Sequence, residues 1–161
     1  MHRLIPLLAL LLAACVAKTP PAPMGDFRPK GGPIYSSAVL QPAQLPGRWR
    51  QVATFGAPTC KAGGVDIKPD GQAVFRLCLG GTDVTGAGPL QPIGPGRFAI
   101  AGQEWWVLWA DGDYRTLVIG TPSGKFGFVL NRGGAISADR MTAAREILDW
   151  NGYDLSRFQP L

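Results

Sequence analysis

The sequence predicts an all-β protein: an eight-stranded antiparallel up-and-down β-barrel with one C-terminal α-helix packed outside it. Three observations indicate this fold. The 161 residues include 22 glycines and 15 prolines, short alternating apolar runs follow one another between Leu45 and Arg132, and Asp-Gly turns separate several of these runs. Such turns between alternating runs are typical of consecutive antiparallel hairpins. The length allows one domain with a core of its own.

Eight runs have the length and residue content of β-strands. They cover residues 49–55, 63–68, 72–79, 83–91, 97–101, 104–110, 114–120 and 125–132. Turn sequences such as Pro69-Asp70-Gly71 and Asp111-Gly112-Asp113 separate them. Eight strands are enough to close a barrel and remove its edges. Periodicity alone leaves a two-sheet sandwich open as the alternative.

A helix is predicted after the last strand. Ser137 can cap its first turn, which contains Asp139, and Gly152 can end it. One helical face is apolar, so the helix should pack outside the barrel and be followed by a short extended tail, residues 153–161. The residues of this face are Met141, Ala144, Ile147 and Leu148.

The N-terminus has the pattern of a secretory signal. Arg3 precedes an apolar run, and the run ends in Leu12-Ala13-Ala14-Cys15. This ending resembles the lipobox of bacterial lipoproteins, in which the cysteine receives acyl chains such as palmitate. In lipoproteins of this kind, an Asp directly after the cysteine implies retention in the inner membrane, and this chain has Val16 at that position. We therefore expect anchoring to the outer membrane through Cys15, with the domain in the periplasm; an ordinary signal peptide is the alternative.

Composition divides the chain into three parts. Residues 1–14 are expected to be the signal peptide, and residues 15–36 a lipidated cysteine followed by a tether rich in proline and glycine. Such a stretch has little apolar surface to bury, which predicts an extended segment without a fold of its own. Residues 37–161 form the predicted barrel domain with its helix.

Histidine and charge exclude several functions. The one histidine, His2, lies in the expected signal peptide, so Ser-His-Asp and Cys-His catalysis and histidine-ligated metal sites are excluded. The two glutamates, Glu104 and Glu146, belong to separate elements and form no paired motif. The net charge is +5, but the arginines are dispersed, which argues against nucleic acid binding. We expect a protein without enzymatic activity, metal or cofactor.

Two cysteines remain once Cys15 is lipidated. Cys60 and Cys78 are almost symmetrically placed about the Pro69-Asp70 turn, and the expected compartment is oxidising. Both observations favour a structural disulfide over two free thiols.

Several segments resemble the lipocalin family. Gly47-Arg48-Trp49 resembles its Gly-x-Trp opening motif, and Asp111-Gly112-Asp113-Tyr114 resembles its Thr-Asp-Tyr motif with Gly112 in place of Thr. Phe128 to Arg132 resembles the last barrel strand, and the segment from Ile147 to Phe158 is similar to the tail of bacterial outer-membrane lipocalins. The resemblance implies that Arg132 packs over Trp49 at the closed end of the barrel.

Alternation along the strands predicts which side chains point inward. The predicted cavity is mostly aromatic and aliphatic, which suits a mainly apolar ligand with a small polar end. Its expected lining is Gln51, Ala53, Phe55, Phe75, Leu77, Trp105, Val107, Trp109, Tyr114, Thr116, Phe126 and Phe128. The strands occupy only residues 47–132, however, so the same side chains can instead fill the barrel.

We therefore expect an outer-membrane lipocalin that binds a small hydrophobic or amphipathic ligand noncovalently, of the fatty acid or lysophospholipid class. Two alternatives remain open. One is a periplasmic protease inhibitor of the small β-barrel type, and the other is a structural envelope lipoprotein with a filled barrel.

Overall fold

The computed structural model describes residues 26–161. The expected signal peptide, Cys15 and the first part of the expected tether lie outside the described residues. Within residues 26–161, no helix is both long and apolar enough to cross a membrane.

The described chain forms an antiparallel sheet that curls into a barrel. Its strands pair in the order β4-β3-β2-β1-β9-β8-β7-β6-β5. Their bounds are β1 (Gly47–Phe55), β2 (Gly64–Ile67), β3 (Gln72–Leu79), β4 (Thr82–Pro89), β5 (Gln91–Gly94), β6 (Arg97–Ile100), β7 (Gln103–Ala110), β8 (Thr116–Gly120) and β9 (Gly127–Asn131). The all-β barrel predicted from the sequence is confirmed.

The strand count differs from the predicted eight because one predicted strand, residues 83–91, corresponds to two observed strands. The chain bends at Leu90, so that β4 pairs with β3 and β5 pairs with β6 on the opposite edge of the sheet. The two strands follow each other directly, and the continuous chain therefore joins the two edges of the sheet. The barrel is nearly closed as a result.

The helix and tail lie outside the barrel, as predicted. Helix α1 spans Ala138–Trp150, and the Ser137 hydroxyl caps it by accepting a hydrogen bond from the amide of Arg140. Its apolar residues pack with side chains from β7, β8 and β9. The tail continues as a short 3-10 helix, Leu155–Arg157, and a further strand, β10 (Phe158–Pro160), which pairs with β1.

Two bulges change which side chains face the lumen. The register between β1 and β9 shifts between Gln51 and Ala53, and the register between β7 and β8 shifts between Val107 and Trp109. An extra residue at a bulge reverses the alternation beyond it. The second half of each strand therefore presents the opposite set of side chains to the barrel interior.

Two apolar clusters result. The inner cluster fills the barrel and includes Trp49, Phe75, Trp105 and Phe128. The outer cluster lies between the barrel wall, α1 and the tail, and includes Phe55 and Leu148. Strands β8 and β9 are buried on both faces because α1 covers their outer side.

The disulfide predicted between Cys60 and Cys78 is confirmed, with the two Cα atoms 5.6 Å apart. Cys60 lies in the loop before β2. Strand β2 is shorter than its neighbours, so at this level no strand lies between β1 and β3. The Gln51 side chain spans the gap: its amide nitrogen donates to the Cys78 carbonyl and its oxygen accepts from the Cys78 amide, both at 2.8 Å. The disulfide and Gln51 together tie β1 to β3 there.

The segment expected to be the tether is packed against the barrel from Asp26 onward. Phe27 and Arg28 are buried, and the Phe27 amide donates to the Gly124 carbonyl at 2.7 Å. Further along, the Ser37 amide donates to the Val107 carbonyl on β7, just beyond the residues that pair with β6. The expected tether therefore includes a docked part, because Phe27 provides the apolar surface that the rest of the segment lacks.

Candidate ligand-binding site at the open end of the barrel

The barrel has two distinct ends. Loops 56–63, 80–81, 101–102 and 121–126 lie at one end, which we call the open end, and turns 68–71 and 111–115 lie at the closed end. At the closed end, the Arg132 guanidinium carbon lies 4.2 Å from the ring centre of Trp49. Arg132 also donates hydrogen bonds to the carbonyls of Gln44, Pro46 and Tyr114. This is the contact that the lipocalin resemblance implies.

Aromatic side chains fill the middle of the barrel. The ring centres of Phe75 and Trp105 are 5.0 Å apart, and those of Trp105 and Phe128 are 5.2 Å apart. Gly86 on β4 makes room for this cluster, because a Cβ atom there would come within 2.5 Å of the Phe75 ring. The remaining cavity, lined entirely by apolar residues, has a volume of about 20 Å³. A fatty acid does not fit into this space.

A larger pocket lies above this aromatic cluster, at the open end. This mouth pocket has a volume of about 370 Å³. Its apolar lining consists of Leu79, Val84 and Phe126. Its polar lining comes from β7 and the loop after β8, and consists of Gln103, Glu104, Thr121, Ser123 and Lys125. A pocket with one apolar side and one polar side suits small amphipathic molecules.

Phe126 connects the mouth pocket to the filled interior. It is partly buried, packs on the inner cluster, and its ring centre lies 6.0 Å from that of Phe128. The Trp105 indole nitrogen donates to the Gln103 side-chain oxygen at 2.8 Å, which holds Gln103 beside the pocket. A ligand in the mouth pocket would therefore rest on Phe126 and would reach deeper only if the aromatic rings moved.

Tyr153 holds the loop that contributes Thr121, Lys125 and Phe126 to the pocket. Its hydroxyl donates to the Phe126 carbonyl and accepts from the Thr121 amide, each at 2.9 Å. Burial raises the pKa of this hydroxyl from its ordinary value of 10.0 to about 12, although the Thr121 hydrogen bond and the Arg28 charge act in the opposite direction. The neutral hydroxyl is thus the form that fits this position.

We expect the Tyr153 hydroxyl to make folding sensitive to high pH. The stability that the neutral hydroxyl contributes is fully present below pH 10 and is lost as the pH rises from 10 towards 12. In that range the phenol ionises in the unfolded chain but not yet in the folded protein. Tyr153→Phe should flatten this fall in the free energy of unfolding, measured by urea titration across the range. Tyr35→Phe, at an exposed tyrosine, should retain it. Equal slopes for Tyr153→Phe and the wild type would contradict this assignment.

A wider groove lies elsewhere, on the outer face of β1 to β4, with a volume of about 880 Å³. Its charged residues are already paired: Asp66 contacts both Arg48 and Lys68, and Arg76 contacts Asp83, which lies outside the groove. The groove is shallow and open to solvent, so it offers a ligand less enclosure than the mouth pocket does. Within residues 26–161, no group of three His, Cys, Asp or Glu side chains is placed to hold a metal ion.

The structure places eight of the twelve cavity residues predicted from the sequence on the inner side of the barrel. Those in the inner cluster, or packed against it, are Phe75, Leu77, Trp105, Val107, Tyr114, Phe126 and Phe128. Gln51 is buried on the inner side, paired with Leu130, but its polar atoms are engaged with the β3 backbone.

Four predicted residues do not face the lumen. Ala53, Phe55 and Trp109 belong to the outer cluster, because each follows a bulge that reverses the alternation. Thr116 shares the outer side with Val118, and its hydroxyl donates to the Asn131 side chain. The alternation predicted for Thr116 fails because β8 begins at this residue, two positions after Tyr114, which is left-handed at φ +50°.

Sequence alternation missed most of the mouth pocket. Gln103, Thr121, Ser123 and Lys125 belong to strand ends and loops, where no periodicity operates. The predicted turns could have indicated these residues, because every second turn of an up-and-down barrel lies at the same end. Leu79 and Val84 flank such a turn, residues 80–81.

Comparison with known proteins agrees with this architecture. The lipocalin-like domain family matches residues 95–161. No curated protein sequence matches the chain. The structure of insecticyanin from the tobacco hornworm Manduca sexta is similar, with a TM-score of 0.63 and 16% identity, covering 84% of this chain and 88% of that one.

Two further structures are similar. The allergen Per a 4 from cockroaches has a TM-score of 0.56 and 12% identity, covering 85% of this chain and 95% of that one. Lobster apocrustacyanin A1 has a TM-score of 0.50 and 15% identity, covering 74% and 78%. The lipocalin resemblance is thereby confirmed: the chain has the lipocalin fold, and residues 95–161 match the lipocalin-like domain family.

Proposed function

We propose that this protein is an outer-membrane-anchored lipocalin that binds a small hydrophobic or amphipathic molecule of the fatty acid or lysophospholipid class. The observation that carries the proposal is the mouth pocket, with apolar Leu79, Val84 and Phe126 on one side and polar groups on the other. Binding is noncovalent and driven mainly by burial of the ligand's apolar part. The signal-like N-terminus and Cys15 support the anchor.

The mouth pocket suggests how such a ligand lies. Its apolar end contacts Phe126 and replaces water over the aromatic cluster. Its polar end remains near Gln103, Thr121 and the exposed Lys125, whose ammonium group suits a carboxylate or phosphate. Because the interior below Phe126 is filled, only part of a long acyl chain is enclosed.

Displacement of a fluorescent fatty acid tests this proposal. We expect Phe126→Asp to weaken binding at least about tenfold, since a carboxylate beside the apolar end of the ligand costs more than about 1.4 kcal/mol. Val74→Asp introduces the same charge on the outer face of β3, at a side chain that is 57% exposed, and should bind as the wild type does. Equal affinities for the wild type and both variants would contradict binding in the mouth pocket.

The filled interior supports a second candidate, a structural envelope lipoprotein that binds no ligand. The observation behind it is the residual cavity of about 20 Å³. The same titration separates the two candidates: a wild-type protein that does not bind the fluorescent fatty acid, or any unlabelled fatty acid or lysophospholipid, supports the structural role.

A further inference from the structure

The chain enters the described domain beside the mouth pocket. The Phe27 amide donates to the carbonyl of Gly124, between the pocket residues Ser123 and Lys125, and the Phe27 carbonyl accepts from the Asp154 amide at 2.8 Å. The Phe27 ring is buried 5.6 Å from Phe55 and beneath the Arg157 guanidinium. The chain before Phe27 therefore reaches the domain at the open end of the barrel, at Asp26.

Arg28 fixes this point of entry. Its guanidinium is buried and donates four hydrogen bonds, all of them to backbone carbonyls. Two of these carbonyls belong to its own segment, Gly32 and Pro33, and two belong to the barrel's open end, Pro122 and Asn151. Asn151 is the C-cap residue that follows α1, where the helix dipole favours a positive charge. We call Phe27 and Arg28 the N-terminal clamp.

The length of chain before the clamp limits the orientation of the barrel at a membrane. Ten residues lie between Cys15 and Asp26, and the eleven Cα–Cα steps that join them span about 40 Å at most when fully extended. The nine residues of β1 run about 30 Å from the closed end to the open end. If the closed end faced the membrane, the chain between Cys15 and Asp26 would have to run back along almost the full length of the barrel. If the open end faces the membrane, this chain can connect Cys15 to Asp26 directly.

The open end also carries residues typical of membrane interfaces. Trp150, the last residue of α1, is 75% exposed and is next to Asn151 of the clamp contact. The side chains of Lys30 and Lys125 are exposed at the same end. Tryptophan and lysine at the headgroup level stabilise interfacial positions. Asp26, Asp149, Asp154 and Glu104 offset the lysine charges, so chain length and Trp150 are the features that favour the open end.

We infer that the barrel stands with its open end towards the phospholipid surface that holds Cys15, so that the mouth pocket exchanges its ligand with the bilayer. The inference rests on the proposed lipid anchor and adds the orientation and the source of the ligand. The N-terminal clamp sets this orientation, because it brings the anchored chain to the pocket end of the barrel.

Energy transfer measures the orientation directly. The full-length lipidated protein carries one donor dye, at Ala57→Cys in the open-end loop or at Gly112→Cys in a closed-end turn, and is placed in phosphatidylethanolamine–phosphatidylglycerol vesicles with headgroup-labelled acceptor lipid. Both positions are exposed, and a Cβ atom at Gly112 meets no neighbour within 4 Å. We expect several-fold more efficient transfer from position 57 than from position 112. Equal transfer, or more from position 112, would overturn the orientation.

Two controls separate the parts of the inference. Arg28→Gln should reduce the difference between the two dye positions, whereas Lys30→Gln, at an exposed neighbour in the same segment, should preserve it. An unchanged difference in Arg28→Gln would overturn the role of the clamp. Incorporation of labelled palmitate at Cys15 is measured on the same protein: its absence overturns the anchor and the orientation together, whereas palmitate with equal transfer overturns the orientation alone.

Discussion

Replacing Phe55 with alanine is expected to lower the free energy of unfolding by about 3–5 kcal/mol. Phe55 is fully buried, and its ring centre lies 5.6, 5.0 and 5.3 Å from those of Phe27, Tyr153 and Phe158. It thus joins β1 to the N-terminal clamp, to the residue that holds the mouth loop, and to the C-terminal strand. The three segments that carry these rings each lose their contact with Phe55, and the space cannot collapse without moving them. Urea unfolding followed by tryptophan fluorescence measures the loss.

Trp150→Ala is the matched control for this loss. It removes an aromatic side chain of larger size, but one that is 75% exposed at the end of α1. We expect a change within about 0.5 kcal/mol, as for other exposed positions. If the two variants lost the same stability, Phe55 would not be the common contact of these segments.

Replacing Trp105 with alanine is expected to cost about 3–5 kcal/mol and to open the interior of the barrel. The indole is buried between Phe75 and Phe128, and the cavity beside it is now about 20 Å³. An apolar cavity that stays dry can take up a small apolar molecule. Saturating indole should therefore raise the unfolding free energy of Trp105→Ala well above its effect on the wild type.

Trp106→Ala provides the control on the same strand. Trp106 faces outward, with the Arg97 guanidinium 3.9 Å from its ring centre, so that its removal opens no space inside the barrel. Indole should not stabilise this variant. A Trp105→Ala protein that gains no more from indole than Trp106→Ala does would show that the interior collapses when the aromatic cluster is broken.

Local chemistry was sufficient to predict the order of strands and their turns. Asp-Gly turns and alternating runs specify hairpins between neighbours in the chain. The near-symmetric spacing of Cys60 and Cys78, together with the expected oxidising compartment, favoured the disulfide that the structure contains. The capped helix, with Ser137 before its first turn, was equally local. These features depend on residues close in sequence, or on one hairpin, and the sequence records them directly.

The face of each residue was predictable only as far as the first bulge. Gln51 was assigned to the inner side, but Ala53 and Phe55 two and four residues later lie on the outer side. The pattern of β8 and β9 could not reveal which face points inward. The helix covers the outer side of these strands, so both of their faces are buried and apolar. Alternation between apolar and polar residues carries no information where both sides of a sheet are buried.

The sequence by itself determined the barrel, its helix, its disulfide and its resemblance to lipocalins. Only the tertiary structure decided that the barrel is filled and that the candidate site lies at its mouth. The space available to Phe75 depends on Gly86 across the sheet, and the mouth pocket depends on loops that meet only when the chain closes the barrel. Both are properties of side-chain volumes packed in three dimensions, to which residues far apart in the chain contribute together.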